Sequence, residues 1–128
     1  MAVVADTGPL YALYDSDDPH HLAVRTALEQ EAEPILIPAA VLAEDVELEF
    51  FDDLANGAYR LEPLETADLT RCRELINKYR EHDIGFVDAA VVATADRLGI
   101  HRIFTVDLRH FRLFRSPVDV LTCCCRTM

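Results

Sequence analysis

The chain alternates short apolar runs with longer segments of helical character, and this alternation limits the folds open to it. Residues 3–6 form an apolar run closed by an acid, which Gly8 and Pro9 break. Similar strand-like runs lie at 34–38, 59–64, 101–107 and 118–121. Helical patterns lie between them: a short one after Pro9, longer ones at 19–32, 39–54 and 86–98, and one that Thr66 is expected to cap. This order predicts the α/β class with a mainly parallel sheet.

The composition is that of a single globular domain spanning residues 1–128. Hydrophobic residues make up 51% of the 128 residues and charged residues 27%, which suffices for one core. No apolar run approaches the ~18 residues of a membrane span, and the N-terminus lacks the basic start of a signal peptide. Cys72 and the run Cys123–Cys125 suggest neither disulfides nor a zinc site, and Cys72 is expected in the core. We therefore expect a cytoplasmic protein.

The net charge of −11 is unevenly distributed along the chain. Residues 1–96 contain 21 acids and six Lys or Arg, whereas residues 97–128 contain two acids and six Arg. The overall sign argues against non-specific coating of nucleic acid. The arginines of the last quarter are compatible with a local surface for phosphate and equally with an ordinary solvated face.

Four acids lie where charge is costly or where strand ends converge. Asp6 and Asp107 follow apolar strands, Asp88 lies in the first turn of the most apolar helix, and Glu44 lies in the helix expected after the second strand. In an open α/β sheet, ligands bind beyond the carboxyl ends of the strands. Each acid alone has a structural explanation as a cap, a turn residue or part of a solvated face. Their convergence on one edge is harder to explain in that way.

Clustered carboxylates repel one another unless a cation or shared protons compensate them. Mg²⁺ and Mn²⁺ prefer oxygen ligands, and no His or Cys occupies a matching position for zinc. A metal held by acids can orient phosphate and activate water. Thr7 and Thr105 flank the site, where a hydroxyl would bind metal-bound water or a phosphate oxygen; turn preference and β-propensity are the alternative reasons for their presence.

Four segments in order resemble a known family. They are D-T-G-P-L-Y-A-L-Y-D from Asp6, I-P-x-x-V-L-A-E from Ile37, F-V-D-A-A-V-V-A-T-A-D-R-L-G-I from Phe86 and I-F-T-V-D-L-R-H-F from Ile103. Together they resemble the PIN domain, in particular the VapC-type toxin ribonucleases, over roughly residues 1–115. This chain differs from the family pattern in two places. The segment after Glu44 is shorter and more acidic than is usual in the family, and the chain ends in L-T-C-C-C-R-T-M.

The resemblance implies a three-layer α/β fold with a mainly parallel five-stranded sheet flanked by helices. It implies a Mg²⁺- or Mn²⁺-dependent endoribonuclease of a toxin–antitoxin system, whose substrates are often structured RNAs such as transfer RNA. The family's metal-site acids correspond to Asp6, Glu44, Asp88 and Asp107, and the hydroxyl of its T-x-D motif corresponds to Thr105. The resemblance also implies a cognate antitoxin and a homodimer, although the altered segment after Glu44 is one that commonly contributes to both contacts.

Two other functions are compatible with parts of the sequence. The strong negative charge and the short acidic segment after Glu44 suit a non-catalytic PIN-like module that binds a basic protein partner. A phosphoacceptor receiver domain is also α/β with clustered Asp, but it needs a Lys near its acceptor. The one Lys here, Lys78, falls in the middle of a predicted helix.

Overall fold

The computed structural model describes residues 2–44 and 46–106 and the backbone of 119–122. Five helices and five strands are assigned within these residues. The strands are β1 (Val3–Ala5), β2 (Ile35–Pro38), β3 (Arg60–Glu62), β4 (Arg102–Thr105) and β5 (Asp119–Thr122). The helices are α1 (Thr7–Tyr14), α2 (His21–Gln30), α3 (Leu48–Ala55), α4 (Thr66–Lys78) and α5 (Phe86–Leu98).

The strands form one sheet in the order β3-β2-β1-β4-β5, and each neighbouring pair is parallel. The central strand β1 pairs on both sides, so that Val4 lies opposite Leu36 of β2 and Ile103 of β4. All three residues of β1 are buried. The expected α/β fold with a parallel sheet flanked by helices is therefore confirmed, and the parallel strands present their carboxyl ends at a common edge.

Helix α5 is the most buried helix that the structure describes. It has the bounds predicted from its apolar run, and every residue from Ala89 to Ala95 is buried. It contacts α4 and strands β1, β2 and β4, and it ends at Gly99 in the left-handed conformation with φ of 67°. The first turn of α5, residues 86–88, is exposed or half-buried and is therefore accessible to a site.

Helix α1 begins at Thr7 rather than after Pro9, so that Gly8 and Pro9 lie in its first turn. Three further expectations about helices were wrong in detail. The predicted helix 39–54 is instead a 3-10 turn, Ala39–Ala43, followed by a break and then α3. Like charges at helical spacing, such as Glu44 and Glu47, disfavour a continuous helix there. Phe50 of α3 is nevertheless fully buried.

The other two errors concern helix starts. Helix α2 begins at His21 rather than at residue 19, because Asp18 accepts a hydrogen bond from the His20 N–H at 2.8 Å and so holds a turn before the helix. Helix α4 is capped by Glu65 rather than Thr66, in a capping box with Asp68. Cys72 is in the core as predicted, and burial raises the pKa of its thiol to about 11.

No helix in the described part of the chain is both long and apolar enough to cross a membrane.

Candidate functional site

A pocket of about 620 Å³ opens at the carboxyl edge of the sheet. It brings together the first turn of α1, the first turn of α5, the end of the 3-10 turn and the residue after β4. Three of the predicted acids line it. Its described lining is Asp6, Thr7, Gly8, Tyr11, Glu44, Gly85, Phe86, Val87, Asp88 and Val106.

Asp6 joins the central strand to α1 and is buried, with 6% of its surface exposed. Its backbone is extended, and its N–H donates to the Phe104 carbonyl of β4 at 3.0 Å. Although it is the N-cap residue of α1, its side chain makes no capping hydrogen bond. The carboxylate instead accepts a hydrogen bond from Thr105 Oγ1 at 3.0 Å. This geometry orients the carboxylate across the strand ends rather than back onto its own helix.

Thr105 is the last residue of β4 and is completely buried. Because β4 is hydrogen-bonded to β1 along the sheet, the register of the two strands places Thr105 beside the residue that follows β1. The hydroxyl thus contacts a predicted metal-site acid directly. Its location at the site is an observation; its role remains a prediction.

Asp88 lies in the first turn of α5 and is half-buried. Gly85 is the N-cap of this helix and has no side chain with which to cap it. An acid in a first turn is favourable because the N-terminal end of a helix carries partial positive charge. That electrostatic benefit accounts for the presence of Asp88, while the packing of α5 determines that the residue lines the pocket.

Glu44 lines the same pocket, but not from within a helix as expected. It follows the 3-10 turn as its C-cap, with an extended backbone at φ −85° and ψ 164°, and it is exposed. The break in the predicted helix therefore places this carboxylate at the end of a turn that continues directly from β2. Asp107, the fourth predicted acid, lies outside the described residues, as do the arginines after it and the cysteine run.

One glycine-dependent feature of the site was not recognised from the sequence. A Cβ on Gly8 would lie 2.5 Å from Val106 Cγ2, so only glycine lets α1 approach the end of β4 this closely. Gly8 is part of the D-T-G sequence, whose turn chemistry was the only signal available for it.

The donor chemistry of the pocket is compatible with a divalent cation that prefers oxygen ligands. Asp6, Glu44 and Asp88 contribute carboxylates, and Thr7 contributes a buried hydroxyl without a hydrogen-bond partner. Within residues 2–44 and 46–106, however, no three His, Cys, Asp or Glu side chains are grouped closely enough to hold a metal ion. The described residues therefore fit such a metal by ligand type, but they do not form a complete coordination sphere.

Comparison with known proteins identifies the class to which this fold and pocket belong. The PIN-domain family model matches residues 3–115, so the chain belongs to the PIN-domain family. Ribonuclease VapC26 of Mycobacterium tuberculosis is 32% identical over 124 residues, which cover 88% of this chain and 92% of that protein. The chain is thus a homologue of the VapC-type toxin ribonucleases, as the four motifs indicated.

Solved structures support the same fold at lower sequence identity. VapC20 of M. tuberculosis, described as a toxin that cleaves the sarcin–ricin loop, has a TM-score of 0.76 at 18% identity and covers 91% of this chain and 98% of its own. A toxin–antitoxin complex from Klebsiella pneumoniae has a TM-score of 0.70 at 19% identity, with coverage of 94% and 97%.

Proposed function

We propose that this chain is a metal-dependent endoribonuclease that acts as the toxin of a toxin–antitoxin system. The observation that carries the proposal is the convergence of Asp6, Glu44 and Asp88 on one pocket at the carboxyl edge of the sheet. Homology to a named ribonuclease at 32% identity gives the reaction class.

In this proposal, Asp6, Asp88 and Asp107 hold Mg²⁺ or Mn²⁺, and Glu44 is either a further ligand or the base that orients water. When bound, the cation activates water for in-line attack on a phosphodiester. Thr105 holds the Asp6 carboxylate in position through the 3.0 Å hydrogen bond. Of the three site acids in the described part of the chain, Glu44 is the exposed one and is therefore best placed to exchange a proton with solvent.

The proposal extends to partners and location. The substrate would be RNA, with transfer RNA one candidate, and a cognate antitoxin protein would hold the toxin inactive. We also propose that the protein forms a homodimer and is located in the cytoplasm. These assignments come from resemblance to the VapC-type toxins and, for the antitoxin, from the complex among the structural relatives.

The decisive experiment is a cleavage assay on total cellular RNA with Mg²⁺, Mn²⁺ or EDTA. Wild-type protein is compared with Asp6→Asn and Asp88→Asn, and Glu49→Gln is the matched control because Glu49 is an exposed acid outside the described pocket lining. We expect discrete, metal-dependent fragments from wild type and Glu49→Gln, and at least a ~100-fold loss in both site variants. Circular dichroism verifies that each variant is folded.

Full activity in either folded Asp variant would refute the assignment of the site. Absence of cleavage by folded wild-type protein, together with no Mn²⁺ binding by titration calorimetry at millimolar concentration, would instead support the non-catalytic module for a basic partner.

A further inference from the structure

Two helices direct their N-terminal ends at the same pocket. The first residues of α1, Thr7 and Gly8, and those of α5, Phe86 to Asp88, all line it. Neither helix has a side-chain cap: the Asp6 side chain makes no capping hydrogen bond, and the N-cap of α5 is Gly85. The backbone N–H groups of a first turn have no partner within the helix, and the helix dipole adds partial positive charge there. Such ends favour anions.

A second, independent feature of the same pocket is the hydroxyl of Thr7. Thr7 is 8% exposed, and its Oγ1 is the one buried side-chain nitrogen or oxygen in the described residues without a hydrogen-bond partner. Leaving a buried hydroxyl unsatisfied destabilises a folded protein, so native structures seldom keep one without a reason. Its position in the pocket lining indicates a partner that is brought by a ligand.

The charge of the pocket opposes the binding of nucleic acid. It contains three carboxylates, and none of its described lining residues is Lys, Arg or His. A phosphodiester entering it would be repelled by the acids. The hydroxyl of Thr7 and the two helix N-termini are donors that lie beside those acids and can offset the repulsion.

We propose that Thr7, with the first turns of α1 and α5, forms a subsite that binds a non-bridging phosphate oxygen of the RNA. This inference rests on the proposed ribonuclease function and assigns it a substrate-binding residue distinct from the acids. A phosphate oxygen suits this position because the Thr7 hydroxyl and the backbone N–H groups of the two first turns are hydrogen-bond donors, whereas the cation binds the carboxylates. The hydroxyl donates to the phosphate while the carboxylates remain available to the metal.

Thr7→Val tests the subsite because it removes the hydroxyl and nearly preserves shape; Thr7→Ser retains the hydroxyl. Inorganic phosphate is titrated into ¹⁵N-labelled protein in the presence of Mg²⁺, and the amide resonances of Gly8 and Val87 are followed. We expect saturable shifts at both amides in wild type and Thr7→Ser, and about tenfold weaker phosphate affinity in Thr7→Val. This readout involves no cleavage, so it can fail or succeed separately from the nuclease assay.

Two further measurements separate this role from others. In the absence of phosphate and RNA, we expect Thr7→Val to raise Tm by about 2–5 °C, because an unsatisfied buried hydroxyl is removed. Mn²⁺ affinity should be unchanged in Thr7→Val. Equal phosphate affinity in wild type and Thr7→Val, absence of shifts at Gly8 and Val87, a lower Tm, or weakened Mn²⁺ binding in Thr7→Val would each overturn the proposal.

Discussion

Two buried carboxylates lie at helix starts in this molecule, and their surroundings differ. Asp68, in the first turn of α4, is 1% exposed, and Asp6, at the start of α1, is 6% exposed. Asp68 accepts two hydrogen bonds from the Arg97 guanidinium, at 2.9 and 3.1 Å, and one from the Glu65 N–H at 2.9 Å. Asp6 accepts a hydrogen bond from the neutral hydroxyl of Thr105, and its side chain makes no capping hydrogen bond.

Aspartates at similar positions in two helices therefore have different electrostatic surroundings. Burial alone would raise the pKa of Asp68, but the hydrogen bonds and charge of Arg97 together with the Glu65 N–H lower it below its usual value. That carboxylate is fixed as an anion by partners within the protein. Asp6 lies on the wall of a pocket beside two more acids, where a ligand can complete its environment. The first arrangement stabilises the fold, and the second is suited to binding.

Removing the Arg97 guanidinium should have the largest effect on stability. Arg97→Met leaves Asp68 buried without its cationic partner, and we expect the free energy of unfolding to fall by about 3–5 kcal/mol. Urea denaturation of the purified protein measures the loss. Arg25→Met is the control: its ion pair with Glu29 is exposed on both sides, so the loss should stay below about 1 kcal/mol. Similar losses in the two variants would show that the Arg97 pair is not the structural element described.

The next effect compares the two carboxylates directly. We expect Asp68→Asn to lower the free energy of unfolding by about 2 kcal/mol, because a charge-assisted pair is replaced by a neutral amide. Asp6→Asn should change it by less than about 1 kcal/mol, since an amide oxygen can still accept from Thr105. Urea denaturation of both variants gives the values. A larger loss of unfolding free energy in Asp6→Asn than in Asp68→Asn would show that Asp6, and not Asp68, is the carboxylate that stabilises the fold.

The parts of the fold that could be predicted are those that local pattern determines. The apolar run of α5 and the Gly99 that ends it gave the helix its observed bounds. The continuous helix predicted over 39–54 does not form, because repulsion between its closely spaced acids opposes the helix that its apolar spacing favours. Leu69 of α4 is apolar yet 49% exposed, because the face of α4 that packs inward carries Asp68, Cys72 and Leu75.

Only part of the candidate site could be predicted from the sequence. Acids that follow apolar strands meet at one edge of any parallel sheet, so Asp6 could be placed without coordinates. The Asp68–Arg97 pair could not, since its partners are 29 residues apart and only the packing of α4 on α5 joins them. The Thr105–Asp6 hydrogen bond spans 99 residues and depends on strand register. Its partners were both identified, but their contact was not.

Thr105 offers a smaller test of the Asp6 environment. Thr105→Val removes the donor to Asp6, and we expect a loss of about 1 kcal/mol in unfolding free energy and about a tenfold loss of RNA cleavage. Thr105→Ser should restore most of both. In an Asp6→Asn background, Thr105→Val should reduce cleavage no further, because the hydroxyl acts through that carboxylate. Independent losses in the double variant would assign Thr105 another role.

The smallest effect is a difference in acid sensitivity. The pKa of Asp68 is lowered in the folded state, so its contribution to stability is complete above its unfolded pKa of about 4 and is lost as pH falls through the folded value. Wild type should therefore lose stability below about pH 4, and the gap between wild type and Asp68→Asn should narrow there. Urea denaturation at pH 7, 5, 4 and 3 measures the gap.

Glu31 complicates the wild-type curve but not the difference between the two proteins. Burial raises its pKa, but the hydrogen bonds and charge of Arg102 together with the backbone N–H groups of Ala32 and Glu33 lower it below its usual value. Glu31 therefore also favours folding at neutral pH and loses that contribution in acid. Since Glu31 is present in both proteins, its contribution cancels when they are subtracted. A gap that stays constant from pH 7 to 3 would mean that Asp68 titrates alike in the folded and unfolded chains, and the contrast with Asp6 would then rest on geometry alone.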